Sequence, residues 1–550
     1  MSIPARFGIG FRLAAAALAL LLAPIAARPQ AAAGFRIAGR VVDSVTGDPV
    51  PRATVSALSG ADNRVVAIAM TDAEGRFSIA GLAAGKYPLN TSRRGFRTAY
   101  YDEHEGSFNT AIVTGPDQDT THLLFKLAPG AVIYGAITGD GGDPVQNASI
   151  LLFHRDPAAP KRQPEQMGGT STDDVGAYEF DGLPAGEYFI AVQAHPWYAV
   201  HGIMSGPPPV PSTATGENGP GGSQPGANSL DVAYPITFFD STTDQASATP
   251  LDVDAGSRTQ ADISLHAVPA VHLTVPRPRQ DSGPGILVRQ SIFGSKIPMP
   301  LDIESVARGP WTVQGLPPGH YELSLSDPPR VAEIDATASM DIDPASAAPA
   351  QPVDVTVRMA DGSPPGDVSL TLSHEGNGGI AMAAEVRNGK FQFPAVAPGV
   401  WTLSASSSGA SVYVASVATA AGPLPAGQIA VQDRPVSLAV VLSRSQAAVT
   451  GFVRAHGKPV PGAMIVLVPR NPAAWPALAR RDQSDSDGSF SLSSVPPGSY
   501  IVVAIPGGWN LDWQDRAVIA RYLPAGEAVT IAARAAGVIP LPQPVQAALP

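Results

Sequence analysis

Few residues in this chain have the type and spacing that chemistry requires. Ser484-Asp485-Ser486-Asp487-Gly488 alternates acids as a calcium loop does. The twelve-residue span and its closing Glu are missing, so a turn is expected instead. Gly81-Leu-Ala-Ala-Gly85-Lys86-Tyr87 evokes a phosphate loop but is one residue short. Tyr87 stands where a magnesium-binding hydroxyl would be, and a strand should follow. His104-Glu105 and the pair His195/His201 are the nearest approach to a metal site, and zinc needs three protein ligands. Neither Gly-x-Ser-x-Gly nor His-Glu-x-x-His occurs, and there is no cysteine. No catalytic residue, metal ligand or cofactor site is assigned, and the chain reads as non-enzymatic. What remains is aromatic surface: Tyr100, Tyr101, Trp197, Tyr198, Trp475, Trp509 and Trp513. Rings on the rim of a sheet stack on sugars or pack on protein partners. The plainer alternative is that they cover unit ends or joints.

Charge and the N-terminus narrow the partners. The formal charge is −11, and no cluster of Lys and Arg stands out along the sequence, so nucleic acid is not expected as a partner. Arg6 and Arg12 precede an unbroken apolar run, Leu13 to Ala23, followed by small residues. That run is too short to span a bilayer, which takes about 20 residues. Residues 1–33 read as a signal peptide, cleaved after Ala27 or Ala33. The mature chain is then expected to be periplasmic or extracellular, with no transmembrane segment. Because no disulfide is available, each unit must stand on its own core.

The elements that must position the aromatic rings follow from composition and repetition. With 55 Gly, 56 Pro and 44% hydrophobic residues, the chain suits many short strands joined by tight turns. One signature recurs five times: an aromatic two residues after a Gly, and a second aromatic ten residues on. The pairs are Phe77/Tyr87, Tyr178/Tyr188, Trp311/Tyr321, Phe391/Trp401 and Phe490/Tyr500. Three copies open with Asp-x-x-Gly, at Asp72, Asp173 and Asp485. Its carboxylate can bond backbone N–H groups, and its Gly can take positive φ. Upstream of the same three lies Gly-x-Pro-Val-x-x-Ala, ending at Ala53, Ala148 and Ala463. This reads as strand, turn and strand, with Pro placed where no ladder donor is lost.

These segments resemble the carboxypeptidase regulatory-like domain, a transthyretin-like β-sandwich grouped with carbohydrate-binding-like folds. The resemblance implies an all-β tandem array of about five small antiparallel sandwiches. It also implies accessory or binding roles, and it concerns the appended domain of carboxypeptidases rather than their zinc-bearing catalytic domain. The expected modules are 34–127, 128–266, 267–347, 348–445 and 446–550, the third and fourth divergent. Residues 202–228, rich in Gly, Pro and Ser, are expected to form a long disordered loop within the second. Leu511 to Tyr522 has the apolar spacing of a short helix, with Trp513, Val518 and Ile519 on or near one face. The expected function is non-catalytic binding or scaffolding, with a polysaccharide or a cell-surface protein as partner. The alternatives are an adhesive rod or an accessory subunit of an extracytoplasmic hydrolase or uptake system.

Overall fold

The computed structural model describes residues 34–201, 230–277, 285–305, 309–374, 381–387, 390–408, 411–424, 427–444, 446–475, 478–533 and 537–548. The signal-peptide reading, the stretch 202–228 and Gly389 lie outside the described residues. The protein is all-β. Its strands fall into small separate sheets that pair face to face along the chain.

The first copy shows the plan. Its strands are β1 (Phe35–Asp43), β2 (Thr54–Leu58), β3 (Val65–Met70), β4 (Arg76–Leu82), β5 (Gly85–Tyr87), β6 (Leu89–Ser92), β7 (Ala99–Tyr100), β8 (Ile112–Thr114) and β9 (Leu123–Leu127). One sheet runs β4-β1-β9, the other β3-β2-β6-β7, and β5 pairs with β8. β1 is antiparallel to β4 and parallel to β9. The same arrangement, an opening strand between an antiparallel aromatic strand and a later parallel strand, recurs around Ala131–Thr138, Val271–Val275, Gln351–Met359 and Ala447–Ala455.

Register explains the glycines that open the clear copies. Gly39 faces Phe77, Gly135 faces Tyr178 and Gly451 faces Phe490. A Cβ on Gly39 would lie 2.2 Å from the Leu123 carbonyl oxygen, and one on Gly135 2.2 Å from that of Ala261. The parallel neighbour passes so close that no side chain fits.

Two clamps hold the copies together, and neither was anticipated from sequence. The second aromatic of every copy donates to the carbonyl four residues earlier. Tyr87 reaches Ala83 (3.1 Å), Tyr188 Pro184 (2.8 Å), Tyr321 Pro317 (2.5 Å), Tyr500 Pro496 (2.9 Å), and Trp401 through Nε1 Ala397 (2.9 Å). The tight Gly-rich turn and the ring that follows it are thus one closed unit.

The other clamp joins the two halves of the motif. The buried hydroxyls of Thr71, Thr172 and Ser484 donate to Val50, Val145 and Val460 carbonyls at 2.7, 2.6 and 2.7 Å. Each accepts from the N–H of Ala53, Ala148 or Ala463 at 2.8, 2.9 and 2.9 Å. Pro-Val-x-x-Ala and Thr/Ser-Asp therefore occur together because one side chain satisfies the other segment's backbone. Thr172→Val keeps the shape and leaves both backbone groups buried without a partner. We expect a loss of about 1–3 kcal/mol in denaturant unfolding. A change within a few tenths would contradict the clamp.

The cores do not divide as expected. Each unit was expected to stand alone, yet Leu151, Phe153, Phe189 and Phe238 join Val271, Leu273, Trp311, Tyr321 and others in one cluster. The second sheet pair is thus apolar on two faces: Ile150, Leu152, Ile190 and Val192 turn inward to their own core, and their sequence neighbours turn outward to the third. Phe293 fills the joint, its ring 5.1 Å from Phe153, 5.1 Å from Phe189 and 5.5 Å from Phe238. The last sheet pair is also two-sided, with Met464, Val466, Val468, Val503 and Ile505 packing on Trp509, Ile519 and Tyr522. The helix read over 511–522 is confined to Arg516–Ala520, capped by Asp515. Trp513 precedes it, so the ring is held by a turn rather than by a helix face.

Candidate ligand-binding surface

The seven rings fall into three places. Trp475, Trp509 and Trp513 sit where the last sheet pair meets the first. Trp509 is only 7% exposed, stacked on His104 at 4.7 Å with planes 10° apart and tilted against Phe108 at 5.1 Å. Both of its neighbours come from the β7–β8 loop, so it is not a free rim ring. Trp513 lies under the Arg481 guanidinium at 4.1 Å and edge-on to Trp475 at 6.1 Å. Trp475 Nε1 donates to the Gln514 carbonyl at 2.7 Å.

This junction is polar and built. Arg481 forks onto Glu105 at 2.8 and 2.5 Å, with Phe108 4.8 Å from its guanidinium carbon. Gln483 Nε2 donates to the Asp102 carbonyl (2.6 Å) and to Thr110 Oγ1 (2.8 Å), and its Oε1 meets His104 Nδ1 at 3.0 Å. The Ala111 N–H donates to Asp485 Oδ1 (3.1 Å), and Lys86 pairs with Oδ2. Asp485 thereby departs from its counterparts. Asp72 and Asp173 cap their own turns, accepting from Arg76 and Ala177 N–H at 2.7 and 2.8 Å. In the last copy the carboxylate keeps its own turn only through Ser489 Oγ (3.2 Å) and otherwise reaches across to the first copy. His104-Glu105, read as a fragment of a metal site, also serves this junction.

Burial raises two acids here. Asp482, whose Oδ2 accepts from the Ser491 N–H at 2.6 Å, is pushed up to about 6, chiefly by desolvation and further by Asp485. Asp485 is raised by desolvation too, with Lys86 opposing. The unfolded chain ionises Asp482 near 4, while the folded chain keeps the proton to about pH 6. Its contribution is therefore most favourable below pH 4 and is lost as pH rises from 4 to 6, by roughly 2 kcal/mol. Asp482→Asn should remove that component, so the gap between variant and parent melting temperatures should widen over that window. Parallel curves would contradict it.

Tyr100 and Tyr101 part company. Tyr101 packs edge-on to Phe125 at 5.6 Å at the margin of the first core, and burial raises its hydroxyl pKa. Tyr100 lies on β7 opposite Asn90 of β6 and keeps partial exposure.

Trp197 and Tyr198 form the open surface. Trp197 is 79% exposed, its ring 5.8 Å from Tyr198 and perpendicular to it. Tyr198 donates to Asp140 Oδ2 at 3.2 Å. Asp140 also accepts from the Ala267 N–H (3.0 Å) and meets His266 Nδ1 (3.0 Å). A bare indole thus stands against a phenol that is tied in turn to a fixed carboxylate and an imidazole. Nearby, His201 Nδ1 and His272 Nε2 flank the two oxygens of Asp231 at 3.0 and 2.7 Å. Among the described residues no trio of His, Asp or Glu is arranged to hold a metal.

With this geometry in place, comparison with known proteins adds the family. The profile of the carboxypeptidase regulatory-like domain matches residues 36–127. Residues 36–127 are a carboxypeptidase regulatory-like domain. This domain contributes β1–β9, the clamps at Thr71 and Tyr87, and the Asp102–Ala111 side of the junction. No curated protein sequence matches the chain. Among solved structures, the chain is similar to a streptococcal ancillary pilin at 11% identity, TM-score 0.19, over 50% of this chain and 100% of that one. It is similar to the shaft pilin SpaA of Lactobacillus rhamnosus GG at 9% identity, TM-score 0.18, over 43% and 98%. It is also similar to a candidate carbohydrate-binding protein of Bacteroides uniformis at 12% identity, TM-score 0.14, over 29% and 88%.

Proposed function

We propose that the chain is an exported, non-catalytic, multi-module binding protein whose ligand is a polysaccharide, contacted through Trp197 and Tyr198. The module divisions proposed are 34–127, 128–266, 267–347, 348–445 and 446–550. Export rests on Arg6, Arg12 and the run Leu13–Ala23. The observation that carries the glycan reading is the 79% exposure of Trp197, whose ring meets Tyr198, itself bonded to the Asp140 carboxylate that His266 also meets. Sugar rings present C–H faces to an indole and hydroxyls to such polar neighbours. The contact between the first and last copies at the Trp509 junction counts against an extended rod; an adhesive surface role with no glycan ligand is the second reading.

Affinity electrophoresis through gels containing soluble glycans, with pull-down on insoluble ones, tests this. The parent chain should be retarded by at least one glycan, and Trp197→Ala should weaken that retardation about tenfold, the equivalent of roughly 1.4 kcal/mol. Lack of retardation by every glycan would remove the sugar and leave a protein partner.

A further inference from the structure

Folding assembles a basic site that the sequence does not display. Cross-strand partners share a sheet face, and in β3-β2-β6-β7 they form two rows. One is Ile68, Ser56, Asn90, Tyr100; the other is Met70, Thr54, Ser92. Val55 and Thr91, which alternate with them, are fully buried, so both rows face away from the core. At the end of the second row, Arg52, Arg93 and Arg94 surround an open depression of about 490 Å³ completed by Thr54, Ser92 and Thr98. None of these six residues is acidic, and among the described residues none of the three guanidinium groups is paired with a carboxylate. Arg93 is fixed, its Nε donating to the Pro51 carbonyl at 2.9 Å and its Nη1 to the Arg94 carbonyl at 3.3 Å. Arg52, with φ of 57°, enters from a loop about forty residues away in sequence.

Three clustered guanidinium groups with no carboxylate partner among the described residues, on a chain of net charge −11, are a local exception that asks for an anion. The face leading to them carries the hydroxyls of Thr54, Ser56 and Ser92, the Asn90 amide and the Tyr100 ring, edged on β3 by the exposed Ile68 and Met70. Hydroxyls and an amide beside apolar surface and a ring suit the mixed C–H and O–H faces of sugars. We propose that this face of the first domain binds an acidic polysaccharide, with the sugar chain along the Tyr100–Asn90–Ser92 surface and a carboxylate or sulfate in the arginine depression. The proposal rests on the glycan reading above and adds charge and place to it. A nucleic acid is disfavoured because its dense phosphates would meet the acidic remainder of the chain, whereas spaced acid groups match one isolated cationic site.

The test uses the full chain in gels containing alginate, dextran sulfate or neutral dextran, with a duplex DNA fragment as competing polyanion. The parent should be retarded by alginate or dextran sulfate, and raising the salt should weaken that retardation. Arg52→Gln with Arg94→Gln should weaken it at least tenfold while leaving the melting temperature and any retardation by neutral glycans unchanged. Arg94→Glu, on an exposed side chain, should do the same if the double variant folds poorly. Retardation by neutral glycans alone, or acidic retardation indifferent to the arginines, overturns this site while leaving the Trp197 reading intact. Equal competition by DNA overturns the polysaccharide assignment, and silence toward every glycan overturns both readings.

Discussion

Phe293→Ala is expected to lower the unfolding free energy by about 3–4 kcal/mol and to split one cooperative transition into two. Phe293 sits at the first central position of the two-residue turn between Ile286–Ile292 and Ser295–Pro298, with Ile292 paired to Ser295. Its φ of 47° and Gly294's of 80° match the turn that suits a twisted hairpin. That geometry aims the ring into the second sheet pair, between Phe153, Phe189 and Phe238. Its N–H donates to Gln245 Oε1 at 2.8 Å, so the backbone is also anchored there. Truncation leaves a void that the three neighbouring rings cannot close without shifting strands. Calorimetry and denaturant curves report both effects. A loss under about 1 kcal/mol with an unchanged single transition would mean that the two sheet pairs do not share a core.

Arg481→Ala should open the junction between the first and last sheet pairs while leaving their separate cores folded. The guanidinium is 9% exposed in its side chain and forks onto Glu105, which is 38% exposed. Solvent reaches the carboxylate, so the ion pair by itself adds modestly. Stacking over Trp513 and Phe108 adds a desolvated cation–π component. Together the loss should reach about 2–3 kcal/mol of docking free energy. The readouts are a larger hydrodynamic radius, a red-shifted Trp509 emission as His104 leaves its face, and little change in the main melting temperature. If the radius stays fixed and the melting temperature collapses instead, Arg481 belongs to the core rather than to a separable joint.

Which features were legible in the sequence depended on how local the physics was. The five aromatic pairs and their Gly spacing revealed the sheets, because a period of two and a turn at fixed offset need no distant partner. Asp72 and Asp173 do what an Asp-x-x-Gly turn implies. Asp485 carries the same motif and does something else, since its partner Ala111 lies more than 370 residues away. The doubly buried strands had a signal that the modular reading did not use. Ile150-Leu-Leu-Phe153 and Met464-Ile-Val-Leu-Val468 are continuous apolar runs, whereas Thr54-Val-Ser-Ala57 alternates. Continuous runs mean burial on both faces, hence a neighbour. Trp509 and Trp513 were grouped with the open rings for the same reason: exposure depends on what docks, and docking was not visible locally. The arginine depression was missed because Arg52 joins Arg93 and Arg94 only through the β2–β6 register.

The claim on which the rest depends is that the array folds back so that its first and last sheets meet. Small-angle scattering of the chain from residue 34 onward tests it most directly. Five units of about 13 Å radius of gyration strung in a line would give roughly 45–50 Å, whereas the closed arrangement requires about 30 Å. A value near 30 Å that rises on Arg481→Ala is the expected result; an extended profile for the parent chain, unaffected by that substitution, would contradict it.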